Sequence, residues 1–208
     1  MKVLLVGRNG GIGSGIYDLL KQKDIEIACL NRDICDLSKT INVNYSDIDG
    51  LIYSAGINNP TTYNDLHIDS LTETIKINAI SFVELCQKIN FNTGANIVAI
   101  GSLYSTETRA GRLAYTMSKH ALLGAVKTLA IEMAPKRIKV NMLSPGFVRT
   151  KLTTKNNPPE RIEYLQSNIP LGMTSINDIA ETCYFLLKTN GITGQNFIVD
   201  NGYSLLGI

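Results

Sequence analysis

The chain concentrates lysine and arginine nowhere, and its formal net charge is only +2. A nucleic-acid or membrane-surface binder needs a block of one sign, so neither partner is expected. Cysteine is scarce: Cys29, Cys35, Cys86 and Cys183 form no Cys-x-x-Cys pair, which argues against zinc and for four reduced thiols. Histidine is scarcer still. His67 and His120 fall in different helical patterns, with no thiol or carboxylate cluster around them, and no metal site is expected. No apolar run approaches membrane-spanning length. The run at 2–6 stops at Gly7-Arg8-Asn9-Gly10, far short of a signal-peptide core, and reads as the first strand of a cytoplasmic protein. Internal repeats, low-complexity stretches and interdomain linkers are missing as well.

What is present is an ordinary globular composition, 44% hydrophobic and 18% charged over 208 residues. That length suits one domain with a substantial core and is short for two. Short apolar runs rich in aliphatic and β-branched residues predict strands at 2–6, 25–30, 50–54, 95–100, 138–143 and 196–199. Helical spacing fills most gaps, at 11–23, 70–89, 114–134 and 176–188. Strands alternating with helices predict an α/β fold, a parallel sheet covered on both faces. Between Arg32 and Gly50 there is room for a short strand and a turn but hardly for a crossover helix, so the sheet is expected to be trimmed there. Residues 151–168 are polar, broken by Asn156-Asn157-Pro158-Pro159, with one amphipathic piece at 160–166. Such a segment after a strand end suits a mobile lid.

Two features carry chemistry. Gly7-Arg8-Asn9-Gly10-Gly11-Ile12-Gly13 joins the first strand to the first helix, so glycines fall where backbone bends sharply and free helix N–H groups face whatever lies in front. That context suits a pyrophosphate. Tyr115 and Lys119 stand four residues apart at the start of a long apolar helix, with Ser102 thirteen residues before the tyrosine. A phenol of pKa about 10 is a poor proton carrier at neutral pH. A cation one turn away is expected to favour the phenolate and bring it into range.

Together these motifs resemble the short-chain dehydrogenase/reductase family. Gly7, Gly11 and Gly13 match its Gly-x-x-x-Gly-x-Gly fingerprint, and Asp36-Leu37 is similar to its acidic pair near the adenine. Tyr53-Ser54-Ala55-Gly56 resembles its Asn-Asn-Ala-Gly, with Ser54 in place of an asparagine that ties the strand. Asn78, Ser102, Tyr115 and Lys119 match its catalytic set. Asn141-Met142-Leu143-Ser144-Pro145-Gly146, with Val148 and Thr150 following, is similar to its nicotinamide-side segment. Ile169-Pro170-Leu171-Gly172, Thr193-Gly194-Gln195 and Asp200-Asn201-Gly202 resemble its carboxyl-terminal signatures. The resemblance spans nearly the whole chain and implies a Rossmann-like, doubly wound, three-layer αβα domain over 1–208.

It also implies reversible hydride transfer between a nicotinamide cofactor and a carbonyl or secondary alcohol, carbonyl reduction being the favoured direction. Tyr115 would pass the proton, Ser102 would hold the oxygen, and Lys119 would tune the phenol and bind ribose hydroxyls. Asn78 would hold a water linking Lys119 to solvent. The cofactor would lie along Gly7, Arg8, Asn9, Gly11, Ile12, Gly13, Asn31, Arg32, Asp36, Leu37, Ser54, Ala55 and Gly56, then Tyr115, Lys119, Pro145, Gly146, Val148 and Thr150. An acidic residue after the second strand favours NAD. Here Asn31 is followed by Arg32, and Arg8 is nearby in the glycine turn, which favours NADP.

The helices near 70–89 and 114–134 carry apolar residues on more than one face, and the resemblance implies a homodimer or homotetramer through them. The loop at 103–113 and the lid mix Thr, Asn, Arg and Glu, which suits a polar small-molecule substrate. Two other readings remain open: a catalytically silent dinucleotide-sensing module, and a nucleotide-sugar-modifying enzyme of the extended branch, whose usual large carboxyl-terminal domain the fifty-eight residues after Thr150 could not supply.

Overall fold

The computed structural model describes residues 1–206. Six strands form one wholly parallel sheet: β1 (Lys2–Val6), β2 (Glu26–Leu30), β3 (Tyr45–Tyr53), β4 (Ile89–Ile100), β5 (Lys139–Pro145) and β6 (Asn196–Val199), in the order β2-β1-β3-β4-β5-β6. The chain runs outward from β1 to β2 and then returns past β1 to β3. This reversal opens a crevice at the carboxyl ends of β1 and β3.

Alternation along each strand divides the core in two. Leu4, Val6, Leu51, Tyr53, Ile97, Ala99, Val140 and Met142 face one layer. Val3, Leu5, Ile52, Val98, Ile100 and Leu143 face the other. Helices α1 (Gly11–Gln22) and α7 (Ile176–Lys188) cover the second layer with Ile16, Leu20, Ile179 and Leu186. On the first lie α2 (Ile68–Ile75), a π turn at Lys76–Ile80, α3 (Ser81–Lys88) and α4 (Leu113–Glu132). The helix expected at 70–89 is thus one rod interrupted by a wide turn, and its end runs directly into β4. Between β5 and α7 the polar segment folds as α5 (Lys151–Lys155) and α6 (Pro159–Asn168), longer than the single piece expected.

The trimmed region takes a form that periodicity did not anticipate. Residues 31–44 contain neither helix nor separate strand; the short strand expected there is the beginning of β3. Cys35 and Ile41 from this segment are nevertheless buried in the first core layer beside Leu30. Side chains from an irregular loop therefore cover the part of the sheet that a crossover helix would otherwise shield, and β2 stays at the edge.

All four thiols are free. No helix among the described residues is long and apolar enough to cross a membrane. Ile52 is fully buried at the sheet centre, so Ile52→Ala should lower the unfolding free energy by about 2–5 kcal/mol, read as a reduced urea midpoint at unchanged slope.

Candidate functional site

The glycine turn leaves β1 tied on both sides: Gly7 N–H donates to the Leu30 carbonyl at 3.0 Å and Ser54 N–H to the Val6 carbonyl at 2.9 Å. Gly7 has φ +85°, a conformation that side chains resist. A Cβ on Gly13 would sit 2.2 Å from the Gly7 carbonyl oxygen, so α1 can approach β1 this closely only without a side chain there. Gly10 precedes α1 with no side-chain cap, and no acidic residue occupies the first turn. The first N–H groups and the positive helix end therefore face the crevice uncompensated.

Beside this turn lies a cavity of about 200 Å³, lined by Gly7, Asn9, Asn31, Arg32, Asp36, Leu37, Ala55 and Gly56 among others. The Asn31 Oδ1 is buried there without a hydrogen-bond partner. Asp36 turns one carboxylate oxygen onto Ser38, accepting from its N–H at 3.0 Å and its hydroxyl at 2.8 Å; these bonds hold its pKa below the usual carboxylate value. Arg32 is exposed. Arg8 does not line this cavity, for its guanidinium lies 3.7 Å from the Tyr17 ring centroid. Of the two arginines, Arg32 is the one at the rim.

On the other side of the turn a second cavity, about 120 Å³, is lined by Ile12, Ser102, Tyr115, Pro145, Gly146, Val148 and Thr150, with Arg112, Asn58 and Asn156 also on its wall. The α1 amino terminus separates the two chambers, and Thr150 packs against Gly11, where a Cβ would lie 2.8 Å from its Cγ2. Two chambers beside a helix end suited to an anion fit a dinucleotide, and the unpartnered Asn31 oxygen fits a hydroxyl-bearing group in the first.

Ser102 follows β4, and its hydroxyl caps a short 3₁₀ turn by accepting from Tyr104 N–H at 3.2 Å. Its proximity to the Tyr115 phenol tends to lower the phenol pKa. Burial outweighs that influence and pushes Tyr115 up to about 12. This corrects the sequence expectation that the adjacent lysine lowers it. Lys119 is itself buried, its Nζ donating to the Ile100 carbonyl at 2.9 Å and lying 5.6 Å from the Tyr115 ring centroid. Burial lowers its pKa to about 8, so both groups are driven toward their neutral forms.

The Asn78 side chain makes three hydrogen bonds. Fully buried on the π turn, it accepts from Ile57 N–H at 2.8 Å and donates to the Ile57 carbonyl at 2.9 Å, pairing with the loop after β3 as a strand neighbour would. Its Nδ2 also donates to Ser118 Oγ at 2.9 Å, and that hydroxyl donates to the Tyr115 carbonyl at 2.7 Å. Asn78 thus ties Ile57 to the turn of α4 that carries Tyr115. Ser54 does not leave the strand loose, because Tyr53 takes over. Its buried hydroxyl meets the Ile77 carbonyl and lies 2.6 Å from Ser81 Oγ. Neither Ser118 nor Tyr53 as an anchor was singled out from the sequence; nothing in their spacing marks them.

A third cavity, about 420 Å³, adjoins the second and shares Ser102, Tyr104, Pro145, Gly146 and Phe147 with it. The loop after Ser102 contributes Glu107, Thr108 and Arg109, and α6 contributes Arg161. Arg112, which the sequence reading passed over, is buried with 9% of its surface exposed. Its Nη1 donates to Asn58 Oδ1 at 3.1 Å and its Nη2 to the Asn156 carbonyl at 3.3 Å.

The family model described as enoyl-(acyl carrier protein) reductase matches residues 29–204, and carbonyl reductase family member 4 of Xenopus laevis is 30% identical over 96% of each chain. The chain belongs to the short-chain dehydrogenase/reductase family. Another relative in this family, the 3-oxoacyl-[acyl-carrier-protein] reductase FabG of Rickettsia prowazekii, is 32% identical over 97% of this chain and 86% of its own. Among solved structures, a 4-hydroxyisoleucine dehydrogenase complexed with NADH superposes with a TM-score of 0.81 at 27% identity, covering 98% of each chain. A structure named as a putative 2-deoxy-D-gluconate 3-dehydrogenase from Agrobacterium tumefaciens with bound NADP gives 0.87 at 24% identity, over 98% of this chain and 96% of its own. This last likeness speaks for the fold. The chain is therefore of an oxidoreductase family whose neighbours bind nicotinamide cofactors.

The depressed Lys119 pKa carries a stability signature. An unfolded lysine keeps its proton to about 10.5 and the folded one to about 8. Between those values the unfolded state binds more protons, so Lys119 makes stability rise with pH. The difference in urea unfolding free energy, wild type minus Lys119→Met, should increase from about pH 8 toward 10.5; a flat difference would place the amine in water.

Proposed function

We propose that this protein transfers hydride reversibly between NADP(H) and a small polar substrate bearing a carbonyl or secondary alcohol, with carbonyl reduction favoured. The observation that carries this is that Ser102 and Tyr115 share the wall of one cavity with Ile12 at the α1 amino terminus. Relatives named carbonyl reductase and 3-oxoacyl-[acyl-carrier-protein] reductase support the reaction class.

When bound, the nicotinamide supplies or accepts the hydride. The protein's own groups do the rest. Burial keeps the proton on the Tyr115 phenol at neutral pH, so in the reducing direction Tyr115 is the group that gives a proton to the carbonyl oxygen. Ser102 donates to the same oxygen and fixes its position, an orienting and electrostatic contribution. Lys119 faces the cleft beside Gly56, where it reaches ribose hydroxyls and raises the local positive potential. Asn78, through Ile57 and Ser118, holds the cleft walls together. Gly7, Asn9, Gly11, Ile12 and Gly13 form the pyrophosphate cradle, with Asp36, Leu37, Ala55 and Gly56 on the adenosine side and Pro145, Gly146, Val148 and Thr150 on the nicotinamide side. Residues 151–168 act as the lid, latched by Asn156, whose Nδ2 donates to the Asn58 carbonyl at 2.8 Å.

For the cofactor, Asn31 brings no negative charge and Arg32 stands exposed at the rim, so a 2′-phosphate meets a guanidinium and no carboxylate from the strand end. Self-association through α2, α3 and α4 is supported by apolar side chains left outside, among them Ile68 at 70% and Ile131 at 77% exposure.

Tyr115→Phe should cut the rate of NADPH-dependent carbonyl reduction by about 10² to 10⁴ while NADPH still binds; an undiminished rate would refute the assignment. Arg32→Ala should weaken NADPH by about ten- to a hundredfold, the loss of a charge-assisted hydrogen bond, and leave NADH nearly unchanged. Equal effects on both cofactors, measured as dissociation constants, would remove Arg32 from the phosphate.

A further inference from the structure

Arg112 is the most deeply buried guanidinium in the structure's chemical centre, and no carboxylate among the described residues neutralises it. The two hydrogen bonds it makes go to uncharged acceptors, the Asn58 side-chain carbonyl and the Asn156 main-chain carbonyl. The ion pairs among the described residues, Met1 with Asp49 and Lys76 with Glu84, lie elsewhere. An arginine cannot escape burial by giving up its proton, as a lysine can. Arg112 also directly precedes α4, whose first turn contains no acidic residue, so it places a positive charge at the positive end of the helix dipole. Burial, the missing counter-ion and the dipole all oppose this charge. A fold retains such a residue where an anion arrives to meet it.

Its position says which anion. Arg112 stands three residues before Tyr115, on the same rigid helix start, and lines the cavity of about 120 Å³ that contains Ser102 and Tyr115. Asn58 and Asn156 grip one edge of the guanidinium, fixing its plane as a bidentate carboxylate requires. A second, independent sign comes from α6: the Nε–H of Arg161 is buried without an acceptor, and this residue lines the adjoining larger cavity.

We propose that Arg112 receives the carboxylate of the substrate, which is therefore a short oxo acid or the corresponding hydroxy acid, with its carbonyl or carbinol carbon at Tyr115. This rests on the hydride-transfer reading and narrows it. The carboxylate takes no part in the electron transfer; it orients the carbon and discharges the guanidinium. Arg161 borders the space into which the far end of a longer acid extends.

The test compares acids with their neutral counterparts. Acetoacetate and 2-oxobutanoate are each paired with the methyl ester and assayed with NADPH and NADH on wild type, Arg112→Gln and Arg112→Lys, with the NADPH dissociation constant measured for every protein. Wild type should prefer acid over ester by at least about tenfold in kcat/KM, the scale of one charge-assisted hydrogen bond. In Arg112→Gln that ratio should fall toward one, mainly through KM for the acid. Arg112→Lys should lie between, keeping charge but not the fork. Unchanged NADPH affinity in both variants shows that they are folded and that Arg112 is not holding a cofactor phosphate.

Esters reduced as well as acids, a ratio indifferent to Arg112→Gln, or weakened NADPH binding with the ratio intact would each overturn the proposal while leaving hydride transfer standing. A calorimetric titration of acetoacetate and acetoacetamide into the enzyme with NADP⁺ reads the charge without turnover. Selective binding of the acid, lost in Arg112→Gln, supports the assignment, and equal or absent binding sinks it. Failure of every carbonyl to be reduced, with wild type no faster than Tyr115→Phe, strikes the underlying reading instead.

Discussion

A strand buried on both faces leaves no room along its length for working polar groups, so chemistry must collect where strands stop. β1 and the inner half of β3 are almost wholly apolar. The polar side chains that do interrupt β4 and β5 are consumed by structure: Asn96 donates to the Leu187 carbonyl and Asn141 to the Ile192 carbonyl, at 2.9 and 2.8 Å. Past the last buried residue this restriction lifts. Gly7 after β1, Ala55 after β3, Ser102 after β4 and Gly146 after β5 all line the cavities of one crevice, which exists because the strand order reverses beside β1. The site is thus a consequence of how the sheet is wound.

The crevice is held to shape by side chains that behave as backbone. Asn78 offers Ile57 both an acceptor and a donor, as a neighbouring strand would, and then reaches Ser118 under Tyr115. The π turn that carries Asn78 also presents the Ile77 carbonyl to Tyr53 and Ser81. Wide turns of this kind often mark functional positions in helices. Here the local departure from α geometry lets one short segment anchor the end of β3 and brace the turn bearing the phenol.

Within that frame burial sets the charges. Tyr115 keeps its proton and Lys119 is pushed toward losing one, so both reduce the charge stored in the low-dielectric cleft. Arg112 has no such release. It is the fixed positive charge of the chamber and biases it toward anions, and the adjoining wall adds Arg109 and Arg161 against the single carboxylate of Glu107.

Periodicity and glycine placement were enough to foretell the parallel sheet, its trimmed side and the uncapped helix after β1, because these depend on local backbone preference and on alternation that short windows contain. The spacing of Ser102, Tyr115 and Lys119 likewise brought the phenol and amine to the strand ends. Other features needed the folded chain. Residues 31–44 show no periodic pattern, yet Cys35 and Ile41 fill the core where a helix is missing, a packing outcome without local signature. The direction of the Tyr115 shift depends on how much protein surrounds the hydroxyl, which no spacing encodes. Arg112 reads in the sequence as one residue of the polar loop at 103–113; its burial and its partners Asn58 and Asn156, distant in the chain, appear only in the fold. Sequence determined which groups could do chemistry, and tertiary structure decided which of them are charged, since charge follows solvent access and solvent access is settled by contacts between distant segments.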